Sequence, residues 1–423
     1  MTHKFSMISA AVALALSASA AQADFDDMVS VRGFGTAGVV HSDVEGADVT
    51  NSFFQPDGAG YTRDFDMRTL SKVAGQMNLQ FTDDLSMTVQ AITQYQHDRT
   101  FKPQIEWLNL KYSFTSDLSV RVGRIALPTF MVSDSRMVGY ANTAARPPEE
   151  LYKLAAITSS DGMDVSYSHT FGSVKNSVQA FYGTSDQEVP SARFEAEAIY
   201  GASYLVEVGA ATFRLGYVGM NFDLEVAQLA PIFDGLRGLG AGLTAFGFSA
   251  AGNQAFALVD KYALDDLKSS TLTVGASYDP GQWFAMTELM QYGGDGFLSD
   301  ARGGYVTAGA RFGKFTPYAT WAAVKADIPH EAGISTTGLP QPLAAGVMAL
   351  NEGLNATLYQ FQGSQQTASV GLRWDAFNNI AIKGQYEHVD LGERSQGRLS
   401  NVQPGFELGS SFSVYMLTVD FIF

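Results

Sequence analysis

Alternation with a period of two dominates this chain and narrows what it can fold into. Val73, Gly75, Met77, Leu79 and Phe81 fall on one side of their segment, and Gln76, Asn78 and Gln80 on the other. A strand sends successive side chains to opposite faces, so this spacing reads as a strand with one apolar and one polar face. Thr82-Asp83-Asp84 supplies a polar turn, and the alternation resumes with Leu85, Met87, Val89 and Ala91 against Ser86, Thr88 and Gln90, completing a hairpin. The unit recurs. Leu108 to Phe114 returns through Leu118 to Val122, and Met163 to Tyr167 returns near Ser177 to Ser185. Ala196, Ala198, Tyr200, Ala202, Tyr204 and Val206, opposed by Glu195, Glu197, Ser203 and Glu207, return through Phe213, Leu215 and Tyr217. Three further pairs turn at Asp279-Pro280-Gly281, Gly313-Lys314 and Asn378-Asn379. With a first strand near Val29 to Ser42 and a last one at the C-terminus, the chain holds about sixteen strands, an even number.

Turns within pairs are a few residues long, whereas the links between pairs run from Asp43 to Ser71, Ala126 to Asp161, Val226 to Ser269, Asp327 to Gln365 and Leu391 to Leu408. Two links, His97 to Gln104 and Asp186 to Arg193, are short. Short turns on one rim and mostly long loops on the other characterise a transmembrane antiparallel β-barrel. A soluble two-sheet protein also alternates, with its apolar face inward. Strands of about ten residues or more that end in aromatics, together with the asymmetric loops, favour the barrel. Closure pairs every backbone N–H and C=O, each of which would otherwise cost several kcal/mol in lipid.

The first residues indicate export. Lys4 precedes an apolar run through Ile8, Val12 and Leu16, followed by the small-x-small site Ala21-Gln22-Ala23, which reads as a signal peptide over residues 1–23 with the mature chain starting at Asp24. Lys4 is the only charged residue of that leader, so its removal moves the formal charge from −16 to −17. This balance disfavours nucleic-acid binding, which needs clustered Lys and Arg. With no cysteine among 423 residues, disulfides, thiolate zinc sites and cysteine nucleophiles are excluded. No Pro/Ser-rich linker divides residues 24–423, which read as one unit.

The chain ends on "SVYMLTVDFIF". Tyr415, Leu417, Val419, Phe421 and Phe423 share one face, with Met416, Thr418 and Asp420 on the other. A last strand that pairs with the first removes both sheet edges. This ending resembles the C-terminal assembly signal of Gram-negative outer-membrane barrels. Together with the leader and the strand count, the mature chain resembles the Gram-negative outer-membrane porin superfamily. The resemblance implies a barrel with short periplasmic turns and long extracellular loops, the third of which folds into the lumen. It also implies outer-membrane lipid and lipopolysaccharide as surroundings, assembly by the barrel assembly machinery, a homotrimer, and small hydrophilic solutes as cargo.

Sixteen strands enclose a lumen too wide for wall side chains to fill. By the resemblance, Ala126 to Asp161, entered from Val122-Gly123-Arg124, is the constriction loop, and it carries Asp134, Arg136, Arg146, Glu149, Glu150 and Lys153. Charges of both signs in a narrow neck create a transverse field that biases solutes. Alternation places Arg32, Lys111, Arg121, Arg214, Arg311, Arg373 and Lys383 on the lumen wall, with Arg124 at the strand end. The acidic Pro-Glu-Phe-Gly type of loop tip found in enterobacterial general porins is absent, so ion preference does not carry over. The links 226–269 and 327–365 hold helix-favouring apolar stretches, expected to pack over or into the barrel mouth, or otherwise on each other or a neighbouring subunit.

The remaining motifs point to no catalysis, cofactor or metal site. Gly33, Gly35 and Gly38 form a formal GxGxxG, but inside an alternating strand rather than between a strand and a helix. The six histidines are scattered, and no GxSxG occurs. The acids of the first long link could suit Ca²⁺ but follow no EF-hand pattern. A passive diffusion channel filtered by size and charge is the leading reading. The alternatives are a substrate-selective channel, a barrel enzyme, and a surface adhesin or receptor.

Overall fold

The computed structural model describes residues 28–423 apart from 155–156, 191, 299, 328–329 and 361–362, so the expected signal peptide and cleavage site lie outside the described residues. The chain forms a closed antiparallel barrel of sixteen long strands. They are β1 (Val29–Ser42), β2 (Lys72–Gln80), β3 (Leu85–Gln94), β4 (Gln104–Ser113), β5 (Leu118–Ala126), β6 (Ser159–Phe171), β7 (Val174–Val189) and β8 (Ala192–Val208). The circuit continues with β9 (Ala211–Val226), β10 (Leu267–Tyr278), β11 (Trp283–Gly294), β12 (Ala301–Ala310), β13 (Phe315–Ala326), β14 (Gln365–Phe377), β15 (Ile380–Leu391) and β16 (Ser411–Ile422). Each pairs with its sequence neighbours, and β1 closes the circle by pairing with β16 from Phe34↔Ile422 to Ser42↔Val414.

The glycine run of β1 belongs to this seam. A Cβ on Gly33 would lie 2.2 Å from the Phe423 ring and one on Gly35 would lie 2.4 Å from the Phe421 ring. Both terminal aromatic rings therefore occupy the space that side chains at these positions of the closing strand would need. Gly33 and Phe423 also exchange backbone hydrogen bonds of 2.7 and 2.9 Å. The formal GxGxxG makes room for the last residues of the chain.

Alternation sorts side chains as expected over most of the wall. Leu108, Leu110, Met163, Val165, Leu272, Val274, Val370 and Leu372 are exposed on the outside. Phe81, Phe114, Phe171, Phe312 and Phe377 stand exposed beside the short turns, forming an aromatic band along that rim. Tyr415, Leu417 and Val419 face outward, while Val414, Met416, Thr418 and Asp420 are buried inside.

Three expectations need correction. The link expected from Asp186 to Arg193 is mostly strand: Asp186 and Arg193 form an ion pair of 2.7 Å on adjoining strands, which run to Val189 and from Ala192. A bulge at Glu197 shifts the register between Ala196 and Ala198, so Ala196 is buried inside while Tyr200 and Tyr204 face outward, on the opposite face. The lumen is also not uniformly polar. Near the long-loop rim, Phe181, Ile199, Val218 and Phe222 point inward and pack with Leu127 and Ile157. Val40, Val389, Val414 and Met416 do likewise under the first and last long links. The short link 295–300 between β11 and β12 escaped the pattern altogether.

The two apolar links are helical. The helix α2 (Ala230–Ala245) packs on both α3 (Ser249–Lys261) and α4 (Gln341–Gln360), while α1 (Glu149–Tyr152) is a single turn in the link between β5 and β6. Phe233, Leu236, Gly240 and Leu243 fall three or four residues apart on the buried face of α2. They join Leu258, Val347, Leu354 and Leu358, and Phe297 from the 295–300 link, in one core at the long-loop rim. Leu229 and Thr357 of this cap border the upper lumen.

Candidate pore constriction

The link between β5 and β6 is folded inside the barrel. Its base is held by Leu127 N–H donating to Thr158 O at 2.9 Å. It then crosses the lumen on hydrogen bonds to the wall. Arg214 Nη2 donates to Pro128 O (2.7 Å) and Thr273 Oγ1 to Thr129 O (2.7 Å). Met131 N–H donates to Glu288 Oε1 at 2.8 Å, and Tyr152 and Tyr305 donate to the other oxygen of the same carboxylate.

At the far wall the loop meets β1, β15 and β16. A Cβ on Gly139 would fall 2.0 Å from Asp420 Oδ1, so only glycine permits this approach. Lys383, fully buried, donates to Gly139 O (2.7 Å) and Ala144 O (3.1 Å) and pairs with Asp420 at 3.0 Å. Arg373 holds Tyr140 O and Asn142 O at 2.7 and 3.0 Å. Tyr140 Oη donates to Asn378 O at 2.6 Å, in a short turn, so the loop descends the depth of the barrel. It climbs back through Ala145 N–H, which donates to Gln385 Oε1 at 2.9 Å.

Most of the charges singled out in this loop converge on one corner. Arg146 pairs with Glu387 at 2.5 Å and with Glu149. Glu150 accepts from Gln365 Nε2 at 2.8 Å and from Thr367 Oγ1. Lys153 Nζ donates to Thr50 O (3.2 Å), Thr50 Oγ1 (2.8 Å) and Arg398 O (2.5 Å), tying the third link to the first and last. Burial alone would lower the Arg146 pKa, but Glu149 and Glu387 outweigh it and raise the value above the ordinary one. Burial pulls Lys153 down to about 8, with Glu149 opposing. Arg136 lies apart, donating to Tyr152 O at 3.2 Å, and Asp134 is exposed.

The wall residues divide into three groups. Arg214, Arg373 and Lys383 hold the loop. Arg121 pairs with Asp164 at 2.8 Å, and Arg124 forks onto Asp161 at 2.7 Å, bordering the same cavity as Lys72, Glu106 and Arg136. Arg32 is exposed opposite Gln76 near the start of β1, Lys111 is exposed opposite Arg121, and Arg311 is held by Asp279 at 2.6 Å in a short turn. Sequence reasoning missed Lys72, Glu106 and Glu288. Glu106 occupies the bulge left by the register shift between Gln90 and Ala91, so it has no place in a period of two. Glu288 was legible as the polar position opposite Gly275 on β11.

The pinned segment leaves two cavities, one mainly polar and one of mixed lining, both bordered by Arg146, Pro147, Glu149 and Tyr152. One of about 350 Å³ is lined by Lys72, Gln94, Gln104 and Glu106, and one of about 280 Å³ by Thr307, Thr320, Thr367 and Ser369. A third, of about 620 Å³, lies toward the long-loop rim and is bordered by Phe194, Met220, Phe222 and Leu298. In the first long link, Asp57 is taken up by Arg68 (2.6 Å) and Arg99 (2.9 Å), and among the described residues no three His, Asp or Glu side chains are grouped to hold a metal ion.

No protein-family model and no curated protein sequence matches the chain. Solved structures do. An anion-selective porin from Comamonas acidovorans superposes with a TM-score of 0.55 at 12% identity, over 93% of this chain and 99% of that one. The outer-membrane expressed OmpT of Vibrio cholerae gives 0.52 at 12% identity over 94% and 98%, and Salmonella typhi OmpF in complex with daunomycin gives 0.52 at 11% over 93% and 97%. With its sixteen strands closed between β1 and β16, the chain has the fold of the Gram-negative porins.

Proposed function

We propose that this protein is an outer-membrane channel through which small hydrophilic solutes and ions diffuse, filtered by size and charge at the loop spanning residues 126–161. The observation that carries this reading is a charged loop pinned across a closed barrel, with a polar cavity of about 350 Å³ on one side and a mixed one of about 280 Å³ on the other. Charges fixed in a confined, low-dielectric neck act on a passing solute more strongly than they would in bulk water. The structural likeness to porins supports an outer-membrane location. In this reading the mature chain is residues 24–423 after loss of the leader, the short turns face the periplasm, the helical links 226–269 and 327–365 lie outside, and three copies associate. Lipid meets the outward apolar belt, and catalysis plays no part.

Planar-bilayer recording of the purified protein tests the proposal. Stepwise conductance in KCl, with a non-zero reversal potential across a salt gradient, is expected. Correctly closed barrels that pass no current refute it. A substrate-selective channel is the second reading, favoured by the apolar lining of the 620 Å³ cavity. Saturation of flux by one solute class distinguishes it from a general pore.

A further inference from the structure

The last long link places a cation where charge is costly. Arg398 is only 6% exposed and borders both the 620 Å³ cavity and the smaller cavity below it. Its backbone is engaged, N–H to Gln365 Oε1 at 2.7 Å and O accepting from Lys153. Its guanidinium makes no hydrogen bond or ion pair among the described residues, and its buried Nε has no partner. The nearby acids are otherwise engaged: Glu149 with Arg146, and Glu150 with Gln365 and Thr367. Burial lowers the Arg398 pKa to about 10, with the charges of Glu150 and Glu149 opposing but making no bond to it, so it stays charged at neutral pH.

Buried charges in folded proteins are ordinarily paired, because leaving one unpaired costs several kcal/mol. A guanidinium presents a planar fork that fits a carboxylate bidentately. The cavity beside it is apolar, bordered by Phe194, Met220, Phe222, Leu224 and Leu298, and has the size of a small-molecule site. We propose that this vestibule binds amphipathic organic monoanions, with the carboxylate on Arg398 and the apolar body against Phe222, Met220 and Leu298. Its consequence for transport rests on the channel reading: such anions would be captured above the neck and passed or retained there in preference to smaller ions.

The test uses the full mature chain and three probes: 3-phenylpropionate, acetate, which lacks the apolar body, and 3-phenylpropanol, which lacks the charge. Binding is followed by saturation-transfer NMR, and channel block in bilayers is recorded separately. Saturable binding of 3-phenylpropionate is expected, with both controls at least tenfold weaker. Arg398→Gln should weaken it at least tenfold, Arg398→Lys less, and Phe222→Ala should weaken 3-phenylpropionate without changing acetate. Equal affinity for the acid and the alcohol, or unchanged binding in Arg398→Gln, overturns the proposal. If Arg398→Gln fails to form a heat-modifiable barrel, the three probes on the unaltered protein still decide. A protein that conducts KCl but binds none of the probes refutes this site alone, and one that binds 3-phenylpropionate yet passes no current refutes the channel alone.

Discussion

Lys383 is a fully buried anchor of the lumen loop, and replacing it with Met should release the loop without opening the barrel. Its ammonium lies 3.0 Å from Asp420, with both side chains 0% exposed, and donates to Gly139 O and Ala144 O at 2.7 and 3.1 Å. Removing one member of a buried ion pair costs ~3–5 kcal/mol, because the other charge is left uncompensated. Thr36 and Thr418 still donate to Asp420 at 2.5 and 3.0 Å, which places the cost toward the lower end of that range. The loop keeps Arg373 and the Tyr140–Asn378 bond. Even one lost bond from a charged donor, ~1.5 kcal/mol, raises the ratio of released to pinned loop about tenfold. The chain has no cysteine, so Val138→Cys is a clean reporter: Val138 packs against Phe34, Ala74 and Ile92 when the loop is seated. Its rate of reaction with a charged thiol reagent should rise at least about tenfold in Lys383→Met, by the same ratio. The Lys383→Met, Asp420→Asn pair should recover barrel stability while keeping the fast reaction, since the two loop carbonyls still lack their donor. An unchanged rate in both variants refutes the view that this lysine pins the loop.

The seam makes a second prediction. Gly33→Val places a Cβ 2.2 Å from the Phe423 ring, whereas a Cβ on Gly75, its partner across the β1–β2 ladder, meets nothing within 4 Å. Overpacking of this kind costs ~1–3 kcal/mol, so Gly33→Val should reduce the heat-modifiable folded band on gels while Gly75→Ala leaves it intact. Lys153, held down to about 8 by burial, has a folded value below the unfolded ~10.4, so its charged form is the disfavoured one in the fold and stability rises as pH climbs through this window. The neck loses positive charge over the same range, and the reversal potential should move toward cations above about pH 8 in the unaltered protein and move less in Lys153→Met. For Asp57, burial raises the pKa, but bonds from Arg99, Tyr95 and Arg68 outweigh it and lower the value. Its contribution is therefore complete above the unfolded carboxylate value of ~3.9 and is lost only as pH falls through the lower folded value. Limited proteolysis within residues 43–71 should be unchanged between pH 7 and 5 in the unaltered protein and several-fold faster at pH 7 in Asp57→Asn.

The wall was legible because it obeys a local rule. Where both rows of a hairpin are regular, as in β2 and β3 or along β16, reading every second residue gave the correct faces. It failed at Glu197 and Glu106, where a bulge inserts one residue and inverts the parity of the rest of the strand, and nothing in the residues announces the insertion. It failed again where both faces are apolar. Phe213, Leu215 and Tyr217 face outward, while Val218 and Phe222 face inward and are buried, so contrast between the faces cannot say which is the lumen. The extra length of β7, β8 and β9 hid for the same reason, since Asp186 and Arg193 look like loop residues but are strand residues paired with each other. That the third long link folds into the lumen was legible from its position in the chain, but its path was not, because its wall anchors join residues far apart in the chain, such as 86 positions for Pro128 and Arg214 and 241 for Arg146 and Glu387.

Sorting the charges by their direct partners separates what holds the lumen from what can act on a solute. Arg121 with Asp164, Arg146 with Glu149 and Glu387, and Lys383 with Asp420 are satisfied internally, and their energy goes into fixing the wall and the loop. A passing ion meets Arg121–Asp164 and Lys383–Asp420 as neutral pairs, whose field falls off faster than that of a single charge, while Arg146 offsets only one of its two carboxyl partners. Lys153 bonds only to neutral oxygens, and the Arg398 guanidinium has no bonded partner among the described residues. These two cations lie within one hydrogen bond of each other, through Lys153 Nζ and Arg398 O, where the first, third and last long links meet. Selectivity in this barrel should therefore follow these two residues more closely than the larger number of arginines along its strands. Neutralising Arg121 should move the reversal potential less than neutralising Lys153, and the opposite order would show that paired wall charges set the field after all.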